Sequence, residues 1–356
     1  MKILQIGAKV GIGEGIGKGN AGDTAIGSAF ESLFNTEFPE AKITFMNCRK
    51  KFSREDITII NQHDVLIISG GGLFLFDTFA NEQSDWQWGI SKDLLEDITI
   101  PIIVYAVGYN KFREQRDFNS KFDETLKILV EKSIFFSLRN SGSCEAIKRH
   151  LPMNLHEKIH LNFCPTMMLN KKYKLMHKNT DSVGFVLAGD RLENRHKDLE
   201  KFTNEIQKFV EYLSKIGKET ILINHQNDTW LKDKIQFDKT VDLFQVDSSK
   251  VYEAYSNVDT VVCDRGHAQM IPFSLGCKIL TPVSHNKLKW FLDDIRLDEF
   301  GIEEDENKLG DILIERYSYQ QTLDWDLIFT SRMNEIEKNY HDNMRIIKSE
   351  LDLEIS

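Results

Sequence analysis

Four groups of residues could do chemistry. The first is Gly19-Asn20-Ala21-Gly22-Asp23, which closes a glycine-rich run beginning at Gly11, after an apolar segment and ahead of a helical one. Glycines let a backbone approach a ligand closely, and amides at a helix start favour an anion or a hydroxyl-rich group; a loop without ligand contact is the other reading. Gly17, Gly19 and Gly22 match the spacing of the dinucleotide fingerprint, but the loop from Ile6 to Gly22 is far longer than its tight turn, and the second strand ends in Met46-Asn47 where a ribose-binding acid is required. Asp23 stands where a helix N-cap would, which accounts for an Asp by itself; as a functional carboxylate it would accept the proton of an attacking hydroxyl.

The second group is Gly70-Gly71-Gly72 after the apolar run Val65 to Ser69, at the strand end where open α/β sheets bind ligands. Nearby Trp86 and Trp88 offer either an aromatic platform for a sugar face or two core rings. The third is Arg139, which ends an apolar strand just before Ser141 and Ser143, either of which could cap the next helix. A guanidinium beside helix amides can hold two oxygens of a phosphate or carboxylate, the alternative being a pair with a surface acid. The fourth is Asp264-Arg265-Gly266-His267-Ala268, with Lys287 following the next strand. A cation and a proton-transfer group at a helix start, with a second cation beyond, predict an anion site over a buried histidine.

The elements that must position these groups alternate. Strands are expected at Ile3 to Ile6, Ile43 to Met46, Val65 to Ser69, Ile102 to Val107 and Ile134 to Leu138, with helices between them such as Thr24 to Asn35 and Phe122 to Lys132. A lysine-rich polar passage from Asn170 to Ser182 reads as a linker, after which the alternation restarts at Val183 and continues through Thr220 to Asn224, Thr260 to Cys263 and Ile279 to Pro282. The expected fold class is α/β, two Rossmann-like domains facing a cleft, a GT-B-like arrangement, with domains over 1–170 and 183–323. The helical segment 324–356 would pack back on the first domain. The charge-rich stretch Asp298 to Asp311 reads as a solvated loop or helix.

The 356 residues exceed what one core usually fills, and a formal charge of −10 opposes nucleic acid or an anionic membrane as a partner. Any bound anion must therefore be captured locally. Five cysteines without CxxC or metal-ligand spacing suit buried thiols in a reducing compartment, and no convincing metal-ligand set is present. The short apolar start is no signal peptide and no segment is long enough to span a bilayer, so a cytoplasmic protein is expected, with docking at the inner membrane face left open.

In this order, Gly19-Asn20-Ala21-Gly22-Asp23, Gly70 to Gly72, Arg139 to Ser143, Arg265-Gly266-His267-Ala268 and Lys287 ahead of Trp290-Phe291-Leu292 resemble the polysaccharide pyruvyl transferase family. The resemblance runs over roughly residues 1 to 295; many relatives carry Asp where this chain has Asn140, and the run from Gly11 to Gly17 lengthens the first loop. It implies transfer of an enolpyruvyl unit from phosphoenolpyruvate to a pair of sugar hydroxyls, giving a pyruvate ketal in a capsule, lipopolysaccharide or related glycan, with the donor as substrate and no cofactor. Arg139, Arg265, Lys287, Ser141 and Ser143 would then hold the donor, and His267 would be the general acid. Asp23 would be a second catalytic residue, while Gly19, Asn20, Gly22, Gly70, Gly71, Gly72, Trp86 and Trp88 would line the acceptor or the loops around it. The acceptor would be a sugar or lipid-linked oligosaccharide. The alternatives are a nucleotide-sugar glycosyltransferase of GT-B architecture and a non-catalytic sugar-binding protein of the same fold.

Overall fold

The computed structural model describes residues 1–7, 20–169, 180–226, 228–303 and 307–355. The glycine run up to and including Gly19, and the linker from Asn170 to Asn179, lie outside the described residues. By contact density the chain divides into two compact units. One holds the described residues of Met1–Lys9, Ala29–Pro165 and Ile336–Ser356, the other those of Val10–Ser28 and Thr166–Glu335.

The first unit carries a parallel sheet of β1 (Lys2–Gly7), β2 (Lys42–Asn47), β3 (Val65–Ser69), β4 (Ile102–Val107), β5 (Ser133–Leu138) and β6 (Ile159–Leu161), in the order β2-β1-β3-β4-β5-β6. All of β3 and β4 is buried, as expected of strands covered on both faces, so their sequences run apolar without alternation. The register between β4 and β5 slips between Val104 and Val107, where Ala106 adopts φ 52° and its N–H donates to Ser137 Oγ at 3.0 Å. This bulge re-aims the chain just before Gly108. The helices are α1 (Ala21–Glu37), whose first residues belong to the second unit, α2 (Arg54–Ile60), α3 (Lys92–Glu96), α4 (Ser120–Lys132) and α5 (Ser141–Lys148). Helix α4 buries Phe122, Leu126, Leu129 and Val130 on one face, as its spacing predicts.

The second unit's parallel sheet comprises β7 (Ser182–Val186), β8 (Glu219–Asn224), β9 (Lys239–Asp242), β10 (Thr260–Cys263), β11 (Lys278–Val283) and β12 (Gly301–Glu303), in the order β12-β11-β10-β7-β8-β9. Counted from β7, that is the doubly wound order 3-2-1-4-5-6, and it reverses direction between β7 and β10. Loops leaving the carboxyl ends of those two neighbours diverge there and open a crevice. The helices are α6 (Leu192–Arg195), α7 (Leu199–Lys215), α8 (Ser248–Ser256), α9 (Gly266–Ser274), α10 (Asn286–Asp294), α11 (Leu309–Gln320) and α12 (Trp325–Ile355). Helix α7 buries Phe202, Ile206, Phe209, Val210 and Leu213, a single helical stripe.

Two features depart from the sequence reading. The stretch from Asp298, expected to be a solvated loop or helix, contributes edge strand β12, in which Ile302 is buried; three residues leave too short a period for a charged segment to announce itself. Asn20 to Ser28 group with the second unit rather than the first. Residues of α12 from Ile336 onward group with the first, where Asn339 and Asn343 Nδ2 donate to Leu161 O at 3.0 and 2.9 Å and Tyr340 Oη donates to Glu37. All five cysteines are buried and none forms a disulfide. Among the described residues no helix is long and apolar enough to cross a membrane.

Candidate functional site

The crevice between β7 and β10 is lined by charge. After β7 the chain runs through Gly189 to Asp190, and Gly189 is required because a Cβ there would meet Asp228 Oδ1 and the Trp230 ring within 3 Å. The Gly189 N–H donates to Asp228 Oδ1 at 2.8 Å. Asp228 in turn accepts from Arg265 Nη2 with both oxygens, at 2.8 and 2.9 Å. The same Nη2 lies 2.8 Å from Asp190 Oδ1. Asp190 is also paired with Arg191 at 3.0 Å and with Arg195 at 3.5 Å. Burial works to raise its pKa, but Arg265, Arg195, Lys287 and Arg191 outweigh that and hold the carboxyl well below the usual range. Arg191 itself adopts φ 54°, a left-handed conformation disfavoured for a residue with a Cβ, so this loop is strained beside the charges it carries.

Behind this layer Asp264, fully buried, accepts from the Ala188 N–H at 2.7 Å and lies 3.6 Å from His196 Nε2, while its carbonyl accepts from Arg195. Burial tends to raise the Asp264 pKa, and His196, Arg195 and the Ala188 amide bring it below the ordinary value. Asp264 thus ties the loop after β7 to the end of β10.

Arg265 is the N-cap residue of α9, so Gly266 and His267 form that helix's first turn. Lys287 opens α10, and its Cε lies 3.9 Å from where a Cβ on Gly266 would stand. The start of α1 meets the same group. Gly22 packs directly on the His267 imidazole, and the Ala21 N–H donates to His225 O at 2.8 Å. Asn20 Oδ1 accepts from the Gly22 N–H at 2.7 Å, so Asn20 caps the helix and Asp23 sits in its first turn. Asp23 is therefore no N-cap, because the helix begins three residues earlier than its apolar spacing indicated. His225, buried and hydrogen-bonded through Nε2 to Tyr255 Oη, has its pKa pushed down to about 3 by burial and by Arg265.

In the first unit Gly70 and Gly71 take φ of 68° and 77°, which only glycine adopts readily, and a Cβ on Gly72 would strike the Asn110 side chain. These glycines turn the chain against the next strand: the Gly108 N–H donates to Gly71 O at 2.8 Å. Arg139, the residue after β5, is almost wholly buried and lies against Gly108, where a Cβ would come within 2.6 Å of its Cζ. The helix cap expected of Ser141 or Ser143 comes instead from Asn140, whose Oδ1 accepts from the Ser143 N–H at 2.8 Å. Asp would cap equally well, which accounts for an amide or an acid at this position. Ser143 is buried with its hydroxyl accepting from the Tyr109 N–H at 3.1 Å, which links α5 to the segment after β4. Ser141 is exposed at the helix start. Trp86 and Trp88, at 1% and 0% exposure, lie in the core of the first unit with Phe74 and Phe52 around them, and offer no open face to a sugar.

Residues 20–286 match the polysaccharide pyruvyl transferase family. The chain belongs to that family. No curated protein matches its sequence. Among solved structures, similar folds include a UDP-GlcNAc 2-epimerase of Methanocaldococcus jannaschii at 13% identity, covering 91% of this chain and 94% of that one with a TM-score of 0.54. A UDP-GlcNAc 2-epimerase of Neisseria meningitidis matches at 11% identity over 99% of each chain with a TM-score of 0.53. The wall teichoic acid polymerase TagF matches at 12% identity over 100% of this chain and 89% of its own, with a TM-score of 0.50. These likenesses show a GT-B-like fold of two parallel sheets with helices and nothing of what is bound.

For this pyruvyl transferase family member the structure gathers Asn20, Gly22, Arg265, His267 and Lys287 in the second unit, and places Gly70 to Gly72, Arg139, Ser141 and Ser143 in the first. Asp190, Arg191, Arg195, His225 and Asp228 were not singled out in the sequence. One signal for Asp190 was present: Gly189-Asp190-Arg191 follows a strand that opens a new βαβ series, where a switch-point loop is expected. Nothing local marks Asp228 or His225.

Proposed function

We propose that the chain transfers the enolpyruvyl unit of phosphoenolpyruvate to two hydroxyls of a sugar in a surface glycan, forming a pyruvate ketal and releasing phosphate. The observation that supports this reading is that Arg191, Arg195 and Arg265 all pair with Asp190 in the β7/β10 crevice, with Lys287 beside Gly266 and His267 in the first turn of the helix that follows Arg265. A donor bearing a phosphate and a carboxylate needs several fixed cations, and their field in a partly buried crevice is stronger than in water.

In the proposed reaction His267 as imidazolium gives its proton to the donor's methylene carbon, making the methyl group and leaving an oxocarbenium-like centre at the adjacent carbon. One sugar oxygen bonds to that carbon; the second displaces the phosphate, whose C–O bond breaks. Of the two hydroxyl protons lost, one restores His267 and the other leaves with phosphate. Asp23, one residue beyond the glycine that touches His267, is proposed to take up the hydroxyl proton that then leaves with phosphate, and so ends the cycle ionised as it began. Arg139 is proposed as a donor-binding residue on the strength of its place at the carboxyl end of β5, and the glycine turn after β3 as part of the acceptor side.

The test is incubation of the purified protein with phosphoenolpyruvate and lipid-linked glycans, followed by mass spectrometry for the ketal. Phosphoenolpyruvate is expected to raise the melting temperature while UDP-sugars leave it unchanged, since a ligand that binds the folded state stabilises it. Stabilisation by UDP-sugars alone, with no ketal formed, would move the reading to a glycosyltransferase.

A further inference from the structure

We propose that Arg49 holds an anionic group of the acceptor, a carboxylate or a phosphate, at the carboxyl end of the first unit's sheet. The inference rests on the reading that the glycine turn after β3 belongs to the acceptor side, and it adds a charge requirement to that reading.

Topology places the residue. In the order β2-β1-β3-β4-β5-β6 the winding reverses at β1, so the carboxyl ends of β1 and β3 form the first unit's switch point, where open α/β sheets bind ligands. The chain leaving β2 stays beside β1 for one more residue, since the Cys48 N–H donates to Gly7 O at 2.9 Å. Arg49 comes next, with its backbone N–H tied back to Asn47 Oδ1 at 2.8 Å. Its Nε donates to Gln87 Oε1 at 2.7 Å, and Gln87 Nε2 donates to Gly72 O at 2.8 Å. This bridge joins the end of β2 to the turn after β3, and β1 lies between those strands, so the bridge spans the end of β1. The guanidinium is thereby held at the switch point.

The bonding of Arg49 leaves its terminal edge available. Gln87 is 3% exposed and engaged at both ends of its amide, so it fixes the guanidinium through Nε. Nη1 and Nη2 of this half-buried side chain make no hydrogen bond or ion pair among the described residues. An acid close to the same turn, Asp56, is paired with Lys50 instead. An arginine held through Nε presents Nη1 and Nη2 as two parallel donors, which match the two oxygens of a carboxylate or phosphate. Because the guanidinium is fixed beforehand, little further freedom is lost on binding. A uronic acid within the glycan and the phosphate that joins a glycan to its lipid both offer that pair of oxygens.

The experiment is ligand-observed NMR titration of glucose, glucuronic acid and glucose 1-phosphate with the full chain, Arg49→Gln and Arg49→Lys, with ketal formation on lipid-linked glycans measured alongside. The three sugars share a ring and differ in the charged group. The parent is expected to bind one of the anionic sugars about tenfold or more tightly than glucose, Arg49→Gln to lose that preference, and Arg49→Lys, which keeps the charge without the fork, to retain part of it. A preference for glucuronic acid assigns the group to the glycan, and one for glucose 1-phosphate assigns it to the lipid linkage. A parent with no anionic preference overturns the proposal, as does a preference that survives Arg49→Gln. Equal loss of all three sugars, or failure of both variants to fold, would make Arg49 a support for the turn and overturns it as well. Loss of the preference in Arg49→Gln, with no ketal formed by the parent, would leave the anion seat standing and remove the transferase reading; ketal formation by parent and Arg49→Gln at equal acceptor KM would do the reverse.

Discussion

A methyl group on the α-carbon of Gly22 would stand 2.5 Å from Nδ1 of His267, 2.8 Å from its Cγ and 2.9 Å from its Cβ. The third distance decides the matter: a ring can swing away from a contact at its tip, but a clash at Cβ moves the side chain from its root. Gly22→Ala is therefore expected to displace His267, lower kcat for ketal formation by about tenfold or more, and cost about 1–3 kcal/mol of stability from overpacking. Steady-state kinetics and denaturant unfolding check both numbers. Wild-type kcat in this variant would remove His267 from proton transfer.

Asp228 binds Arg265 and the Gly189 amide where water is excluded. Removing it leaves a buried guanidinium one partner short and an amide unsatisfied. Asp228→Ala is expected to lose about 3 kcal/mol in chemical denaturation, toward the low end for a broken buried pair because Asp190 remains beside Arg265. Asp228→Asn, which still accepts from Gly189, should lose less.

His225 gives stability a dependence on pH. Its folded pKa, about 3, lies below the ordinary histidine value of 6.5, so between the two the unfolded chain binds a proton there that the folded chain does not. Stability then rises with pH between about 3 and 6.5 and is flat for this group above, with a slope of at most about 1.4 kcal/mol per pH unit. Unfolding free energies measured at intervals from pH 4 to 8 should show a shallower acid limb in His225→Gln. An identical limb would mean that other groups set the acid sensitivity.

Trp86 and Trp88 meet edge to face at 5.7 Å within the first unit's core. Trp86→Phe is expected to lower stability by about 1–3 kcal/mol through the unfilled volume while leaving the acceptor KM within twofold. A large KM rise at unchanged melting temperature would return the ring to a sugar face.

Much of the fold was legible because hydrophobic period is a local property. Strands β3, β4 and β10 run over the residues their apolar stretches predict, and α4 buries the face its spacing indicates. Short edge strands were not legible. Lys239–Asp242 and Gly301–Glu303 carry charge at positions that face water, and three or four residues are too few to establish a period.

The sequence by itself determined which residues could hold an anion or move a proton, since side-chain type and a place at a strand end or helix start depend only on near neighbours. Arg265, His267 and Lys287 were singled out that way. Only the tertiary structure decided what those residues touch. It put Gly22 against His267 across more than two hundred residues of chain, gave Arg265 two acidic partners, made Asn140 the cap in place of a serine, and sank both tryptophans into the core. The physical reason is that ion pairing and burial act through space, and the order of parallel strands that brings distant loops together leaves no trace in local spacing.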